Sequence, residues 1–315
     1  MRFRIVFFGT PAFAVPSLQA LCDGPDTVVG VVCQPDRPAG RGQKVQASPV
    51  KQLALERSIE VAQPTKLKSG DFPAQLAAWS ADLGVVAAYG RILPLPLLTT
   101  PRLGCINVHA SLLPKYRGAA PIQWAVLRGE TETGVTIMQM NERMDEGDVL
   151  LQRPTPIGHD ETYGALQERL AEIGAAALTD ALDALAAGTL VATPQHHAEA
   201  TLAPLIRKEQ GAIDWSGAAE GIARAVRGFN PWPSAYTTLS GKRLKLHRAH
   251  AVEQRSTAAA GTVVGVVGGS IHVATGAGVL VIEELQLEGR SALGAAAFVR
   301  GAGLAIGDRL GGVRD

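Results

Sequence analysis

Three polar side chains that can exchange protons or hydrogen bonds stand two residues apart in one short stretch: Asn107, His109 and Ser111. Ile106 and Val108 alternate with them, which is typical of a half-buried β-strand. A period of two places the three polar side chains on the same side of that strand. Histidine shuttles protons near neutral pH, and asparagine donates through its amide. We therefore predict a site at the end of this strand. The alternative is an Asn and a His that only cap a turn.

The elements before this strand predict an α/β fold. Residues 4–8 are typical of a buried strand, residues 14–21 have a helical pattern, and residues 28–33 and 83–89 are further apolar runs. This β-α-β opening is typical of a doubly wound, mostly parallel sheet, in which ligands bind at the carboxyl ends of the strands. No Gly-x-Gly-x-x-Gly follows the first strand, so a nicotinamide-dependent dehydrogenase is disfavoured.

The second half of the chain changes pattern. A long amphipathic helix over 162–185 closes the first domain, which we predict to span residues 1–188. Residues 189–206 are predicted to be a linker, and residues 207–315 a small β-barrel domain of the OB-like type. Short β runs separated by Gly-containing turns predict the barrel, at 236–239, 243–248, 261–267, 270–275 and 279–287.

A basic segment, residues 35–51, interrupts the first domain. Its proline and glycine residues predict a loop without helix or strand. Its basic residues face a single acid in the sequence: Arg37, Arg41, Lys44 and Lys51 against Asp36. Long loops of this kind are often lids or binding loops. We predict a mobile arm that contacts phosphate or sugar, and the alternative is a solvated surface loop.

An acidic turn lies between two predicted strands, in the stretch MDEGDVLL at residues 144–151. Asp145 and Asp148 flank Gly147 in this turn. Acidic residues are common at glycine turns for conformational reasons alone. The pattern by itself therefore leaves the role of Asp145 open.

The composition is that of an ordinary globular protein. The chain has 315 residues and a net charge of +1, with 17 basic and 20 acidic residues up to residue 205 and 13 basic and 9 acidic residues after it. The basic second half suggests a polyanionic partner. Three separated cysteines and no zinc-type spacing predict a reducing compartment, no disulfide framework and no metal. The apolar run at 5–8 is too short for a signal peptide, and no membrane-spanning stretch is present, so we expect a cytoplasmic protein.

The stretch INVHASLLPKYRGAAPI resembles the formyltransferases that use 10-formyltetrahydrofolate. Their pattern is an Asn, a His two positions on, a Ser-Leu-Leu-Pro turn and an Asp about 35 residues later, and Asp145 lies 36 residues after His109. The resemblance implies a Rossmann-like formyltransferase domain with catalytic Asn107, His109 and Asp145. It also implies that the folate co-substrate contacts the turn formed by Ser111, Leu112, Leu113 and Pro114.

Further stretches resemble the branch of this family whose acceptor is methionyl-initiator tRNA. They are PDRPAGRG at 35–42, RKEQGAIDW at 207–215, FNPWPSAYT at 229–237 and FFGTPAFAVPSL at 7–18. This resemblance implies that the formyl group is transferred to the α-amino group of methionine, giving formylmethionyl-tRNA for translation initiation. The implied tRNA contacts are basic residues in both halves of the chain: Arg37, Arg41, Lys44, Arg207, Lys208, Lys242, Arg243, Lys245 and Arg248.

Two departures and two alternatives accompany this resemblance. Leu205 stands where the family often has Lys, and Gln43 stands near a position that is often basic. One alternative is a formyltransferase that acts on a sugar amine or a nucleotide amine, which would need neither the basic segment nor the basic barrel. The other is an RNA-binding protein with a relict formyltransferase domain. Nothing in the sequence demands more than a monomer.

Formyl transfer is acyl transfer through a tetrahedral oxyanion. Asn107 and His109 are suitable donors to that oxyanion, and one such donor is typically worth about 10²–10³ in turnover. Asp145 is the candidate base for the attacking amine, directly or through a water, and it can hold His109 in one tautomer. Ser111 has no evident base beside it in the sequence, so we predict no covalent nucleophile.

Overall fold

The structure, a computed structural model, describes residues 2–39, 44–302 and 304–311. The chain is divided into two compact units. The first unit comprises residues 1–121, 132–156 and 167–204, and the second comprises residues 122–131, 157–166 and 205–315. The domain boundaries expected from the sequence, at residues 188 and 206, stay predictions.

The strands, in chain order, are β1 (Arg4–Gly9), β2 (Thr27–Val32), β3 (Arg37–Ala39), β4 (Lys44–Gln46), β5 (Val61–Ala62), β6 (Leu83–Ala87), β7 (Cys105–His109), β8 (Arg117–Gly118), β9 (Glu132–Gln139), β10 (Val149–Pro156), β11 (Leu202–Ala203), β12 (Ala235–Leu239), β13 (Lys242–Val252), β14 (Val263–Val267), β15 (Ser270–Ala274), β16 (Val279–Leu287) and β17 (Leu293–Gly294). The α-helices are α1 (Val15–Asp23), α2 (Pro49–Glu56), α3 (Phe72–Ala78), α4 (Leu95–Leu98), α5 (Pro121–Arg128), α6 (Tyr163–Ala186), α7 (Ala219–Gly228) and α8 (Ala295–Ala302). Among the described residues, no helix combines the length and apolarity that crossing a bilayer requires.

The first unit is built on a seven-stranded sheet in the order β10-β9-β7-β6-β1-β2-β5. The strands from β7 to β5 are parallel, whereas β9 and β10 are antiparallel additions at one edge. The side chains of residues 5–8 in β1 are fully buried, as expected of a parallel strand that is covered on both faces. The predicted doubly wound, mostly parallel sheet is therefore confirmed.

Close packing in this sheet depends on one glycine. A Cβ atom built on Gly30 of β2 would lie 2.5 Å from the ring of Trp79, so the indole occupies the space that any larger residue would need. Trp79 is buried with Phe8 and Tyr89 in one hydrophobic cluster, in which the Phe8 and Tyr89 rings meet edge to face at 5.7 Å. The core below the carboxyl ends of the strands is thus rigidly filled.

The basic segment differs from its prediction, because part of it is regular structure. β3 and β4 pair antiparallel as a two-stranded sheet, and Pro38 is opposite Val45. Proline is tolerated here because every strand in a two-stranded sheet is an edge strand. Helix α2 then begins at Pro49, inside the segment predicted to be a loop, with the Ser48 hydroxyl accepting the N–H of Lys51. The expectation of a segment without helix or strand was wrong at these positions.

The second unit contains an antiparallel sheet in the order β12-β13-β16-β15-β14, with β17 paired to β16. The small antiparallel β-domain predicted for the C-terminal part is confirmed. The edge strands β12 and β14 are bridged by residues 304–311: Val263 donates to the carbonyl of Asp308, and Gly311 donates to the carbonyl of Thr238. This segment links the two edges without a direct strand pair between them.

Candidate active site

Strand β7 presents Asn107 and His109 on one face, two residues apart. It lies between β6, which is parallel to it, and β9, which is antiparallel to it. The His109 side chain is buried, whereas Asn107 is half-buried. The Asn107 side chain forms no hydrogen bond within the part of the chain that the structure describes. Among the described residues its amide is therefore a donor without a partner, on the same strand face as the buried imidazole.

The backbone around His109 determines its tautomer. Nε2 lies 3.1 Å from the carbonyl oxygen of Tyr116. A carbonyl only accepts hydrogen bonds, so Nε2 carries the proton. Nδ1 then faces the other way, 3.7 Å from Oδ2 of Asp145. Nδ1 is consequently the nitrogen that can exchange a proton at this site.

Asp145 lies in the turn between β9 and β10 with a positive φ of 55°. Its Oδ2 accepts the N–H of Gly118 at 2.8 Å, so the carboxylate bonds to another loop rather than stabilising its own turn. A Cβ atom on Gly147 would lie 1.8 Å from the carbonyl oxygen of Gln139, which only glycine avoids. The turn therefore brings the carboxylate against β7 in one defined conformation.

The Ser-Leu-Leu-Pro turn is held by hydrogen bonds to side chains of β9 and β10. The Thr136 hydroxyl donates to the carbonyl of Ser111 at 2.6 Å and accepts the N–H of Leu113 at 3.1 Å. Gln152 donates to the carbonyl of Leu113 at 2.8 Å. The Ser111 hydroxyl donates to the carbonyl of Lys115 at 2.6 Å, which occupies its proton in the loop itself. The turn is rigid, and its role toward folate stays a prediction.

Sequence reasoning missed several polar residues that support this site. Gln195, in the predicted linker, is buried, and its amide nitrogen donates to the carbonyls of Asp145 at 2.9 Å and Gly147 at 2.7 Å. Its oxygen accepts from Arg117 at 2.7 and 3.1 Å. Arg117 also contacts Nδ1 of His197 at 2.9 Å, although His197 itself is exposed. No periodicity in residues 189–206 signals these contacts.

The basic residues predicted on the barrel lie on one long strand, β13: Lys242, Arg243, Lys245 and Arg248. Arg243 stacks over the ring of Tyr236 at 4.1 Å. Arg248 is paired with Glu283 at 2.8 Å, so part of its charge is already neutralised. Lys245 shares a face with Arg243, because a single residue separates them on the strand. The patch is less basic than its sequence implies.

The other basic residues of the prediction belong to shorter segments. Arg207 and Lys208 are exposed at the start of the second unit, and Lys208 begins a short 3₁₀ helix. Arg37 and Lys44 lie on the paired strands β3 and β4. Arg41 is outside the described residues, as is Gln43. Lys51 bonds to Asp36 and Gln63 in the structure, so it supports the base of this hairpin.

These groups are of the kinds that acyl transfer to an amine requires. Asn107 offers a donor that has no partner within the described part of the chain, and His109 and Asp145 offer a pair able to exchange a proton at 3.7 Å. No serine or cysteine nucleophile stands in a relay with them among the described residues, and no cluster of potential metal ligands occurs in that same part of the chain. Donors for an oxyanion and a proton-exchanging pair are what direct attack by an amine on an acyl group requires.

Comparison with known proteins places the chain in such a family. A family model described as formyl transferase matches residues 1–182, and one described as formyl transferase, C-terminal domain, matches residues 205–303. The chain belongs to the formyl transferase family, which confirms the predicted resemblance. A methionyl-tRNA formyltransferase from Desulfotalea psychrophila is 50% identical over 299 residues, covering 95% of this chain and 93% of that relative.

Solved structures share the fold at lower identity. HypX from Aquifex aeolicus in complex with tetrahydrofolic acid has a TM-score of 0.61 at 20% identity over 95% of this chain. The match covers 47% of HypX, so the chain spans about half of its length. An N-formyltransferase from Helicobacter canadensis, in complex with folinic acid and dTDP-3-aminofucose, has a TM-score of 0.63 at 16% identity, covering 89% of this chain and 98% of that one.

Proposed function

We propose that the protein transfers the formyl group of 10-formyltetrahydrofolate to the α-amino group of methionine on initiator tRNA. The observation that carries this proposal is the 50% identity to a methionyl-tRNA formyltransferase over nearly the full length of both chains. The site agrees with it, because it offers oxyanion donors and a proton-exchanging pair without a covalent nucleophile. The product is formylmethionyl-tRNA, the aminoacyl-tRNA that initiates translation.

The geometry assigns the hydrogen-bond donors of this reaction. When the amine attacks the formyl carbon, the carbonyl oxygen becomes an oxyanion that needs fixed donors. The Asn107 amide supplies one donor. His109 supplies the second only through Nδ1, because its Nε2 proton is already donated to Tyr116. His109 must therefore be an imidazolium at that moment, and the Asp145 carboxylate faces the nitrogen that bears the extra proton.

The protons of the reaction balance within this pair. The attacking amine loses one proton, and N10 of the folate gains one as its bond to the formyl carbon breaks. Asp145 is the acceptor for the first proton, and His109 is the donor for the second. Proton transfer from Asp145 to Nδ1 of His109 then restores both residues. No covalent enzyme intermediate forms at any step.

One observation indicates that the polar groups of the site suit the folate co-substrate. Asn107 has no hydrogen-bond partner within the described residues, and a formyl oxygen would give its amide one. We assign the turn Ser111, Leu112, Leu113 and Pro114 to the rest of the folate. The solved relatives that hold tetrahydrofolic acid and folinic acid support a folate site in proteins of this fold.

Contacts to tRNA are assigned to the basic residues on β3, β4, β13 and the start of the second unit. Contacts of this kind go to phosphates, carry little sequence information and weaken with salt. Because Arg248 is paired with Glu283, we assign it less weight than Lys245. We also infer that the protein acts as a monomer, in the cytoplasm where initiator tRNA is charged.

An acceptor panel tests the proposal. The protein is given 10-formyltetrahydrofolate and, in parallel, methionyl-initiator tRNA, uncharged tRNA, glycinamide ribonucleotide and a dTDP-amino sugar. We expect transfer only to the charged tRNA, with KM rising steeply between 50 and 200 mM salt, a range over which about six phosphate contacts would lower affinity by about 10³. Transfer to either small amine, or release of formate without an acceptor preference, would replace the tRNA assignment while leaving the site chemistry in place.

A further inference from the structure

Residues 193–203, which we call the clasp segment, contact the turn that carries Asp145 and the segment from Tyr116 to Gly118 that follows His109. The segment follows α6 and carries no residue that the sequence marks as functional. Thr193 pairs with Val149 at the start of β10. At the other end, β11 pairs in parallel with β8, so that Leu202 is opposite Arg117 and Ala203 is opposite Gly118. The clasp segment is thus bonded at both ends to the strands and loops that hold the site.

On the Asp145 side, the clasp segment acts through Gln195. Arginine only donates hydrogen bonds, so the contacts of Arg117 to Oε1 of Gln195 determine which way the amide faces. The NH₂ group therefore points at the carbonyls of Asp145 and Gly147, at 2.9 and 2.7 Å. Both N–H bonds of one buried amide hold the backbone of the turn on either side of Glu146. This fixes a turn whose Asp145 has a positive φ.

On the His109 side, the clasp segment acts through Thr201. Its hydroxyl accepts the N–H of Tyr116 at 2.9 Å, and its carbonyl accepts the N–H of Arg117 at 2.9 Å. Tyr116 has a φ of 63°, and its carbonyl is the acceptor of Nε2 of His109. Thr201 therefore holds the peptide that orients the imidazole. The same ladder places the N–H of Gly118 on the Asp145 carboxylate at 2.8 Å.

We propose that the clasp segment sets the separation and orientation of His109 and Asp145, with Gln195 and Thr201 as positioning residues for formyl transfer. This inference rests on the proposed function. Neither residue touches the reacting atoms in this account, and each acts through a backbone group that a catalytic side chain contacts. A displacement of about 1 Å at such a pair can cost about 10²-fold in rate.

Two sets of substitutions test the contacts of Gln195 and the contacts of Thr201 separately. Gln195→Glu keeps a partner for Arg117 but turns an oxygen toward the carbonyls of Asp145 and Gly147, so both donors are lost. Thr201→Val keeps the shape of the side chain without its hydroxyl, and Thr201→Ser restores that hydroxyl. Matched controls are Gln52→Glu, at an exposed glutamine, and Thr179→Val, at an exposed threonine on α6.

The assay is formyl transfer to methionyl-initiator tRNA, with kcat and KM measured separately. We expect Gln195→Glu and Thr201→Val each to lower kcat by about 10–100-fold with KM within about twofold, while Thr201→Ser returns to within about threefold of the wild type. In an Asp145→Asn background, Gln195→Glu should add less than about twofold, because the carboxylate it positions is gone. An undiminished loss in that background, or Thr201→Ser no better than Thr201→Val, would overturn the proposal.

A measurement without substrate separates this inference from the proposed function. The ¹⁵N shifts of His109 report its tautomer, and we expect the Nε2-protonated form to be depleted in Thr201→Val and restored in Thr201→Ser. Equal shifts in both variants would refute the positioning role of Thr201 even if Gln195→Glu failed to fold. If the wild type did not transfer the formyl group but the ¹⁵N shifts of His109 were as expected, the proposed function would be rejected and the positioning role of the clasp segment would stand.

Discussion

Replacing Asp145 with asparagine changes one oxygen to an amide nitrogen and should leave the fold intact. The amide oxygen can take the place of Oδ2, which accepts the N–H of Gly118 at 2.8 Å and lies 3.7 Å from Nδ1 of His109 in the native protein. An imidazolium at His109 would then face a neutral oxygen instead of a carboxylate, so the substitution removes its counter-charge. The predicted consequence is loss of the second oxyanion donor and of the base together.

The size of the loss follows from the 3.7 Å separation between Oδ2 of Asp145 and Nδ1 of His109. Two unit charges at this distance attract by about 4.5 kcal/mol at an effective dielectric of 20, and by about 1 kcal/mol in water. The side chains are 16% and 6% exposed, so the pair is screened less than a pair in open water. The loss of one oxyanion donor typically costs about 10²–10³-fold in turnover. The loss of proton transfer to Asp145 as the base lowers the rate by a further factor of about 10²–10⁴.

We therefore expect Asp145→Asn to lower kcat for methionyl-initiator tRNA by at least about 10³-fold, with a thermal unfolding midpoint within about 3 °C of the wild type. Asp180→Asn is the matched control, because it removes one carboxylate from an exposed ion pair with Arg153 in the same unit. It should retain wild-type turnover. A folded Asp145→Asn protein that keeps more than about one tenth of wild-type kcat would refute the pairing of His109 with Asp145.

Other expectations concern stability and thiol chemistry. Gly147→Ala should lower both activity and the free energy of unfolding, the latter by about 1–3 kcal/mol, because its Cβ would lie 1.8 Å from a carbonyl oxygen; urea denaturation would show this. Gly221→Ala, in α7 with nothing within 4 Å of the new Cβ, should instead stabilise by about 0.5–1 kcal/mol, and a loss there would contradict the reasoning. Burial raises the pKa of the Cys33 thiol and raises that of Cys105 to about 12, so Ellman's reagent at pH 8 should modify no more than Cys22 before unfolding and all three thiols after it. The pKa of Cys105 rises from 9.0 to about 12 on folding, so the neutral thiol contributes its full stability below pH 9 and this contribution is lost as the pH rises toward 12. The urea midpoint of Cys105→Ala should therefore fall less steeply with pH over this range than that of the wild type. Equal slopes for the two proteins would argue against the shift.

Local sequence pattern predicted the strands of the first sheet well, for an identifiable reason. Residues 5–8 are apolar throughout because both faces of β1 are covered, and that burial leaves a continuous hydrophobic run. The basic segment was mispredicted at Pro38 and Pro49 because proline excludes central strands and helix interiors, but not edge strands or the first turn of a helix. Rules about single residues fail where position within an element decides the outcome.

The surface charge of the second unit was also predicted only in part. The basic residues of β13 are evident in the sequence, but Glu283 is 35 residues from Arg248 and reaches it only through the pairing of β13 with β16. A cluster of lysine and arginine in the sequence is therefore not yet a basic surface. The net field depends on the neighbouring strand, which is set by sheet topology.

The sequence by itself determined the family and the polar groups of the candidate site: an amide and an imidazole two residues apart on a strand, an acidic turn 36 residues later, and a family resemblance that the comparisons confirm. Strand periodicity is local, so residues 107 and 109 share a face whatever the rest of the chain does. Only the tertiary structure decided how the carboxylate reaches the imidazole and what holds both. Gln195 is 50 residues from Asp145, and Thr201 is 85 residues from Tyr116. No local rule relates residues so far apart, because their contact exists only once β8, β10 and the clasp segment have paired.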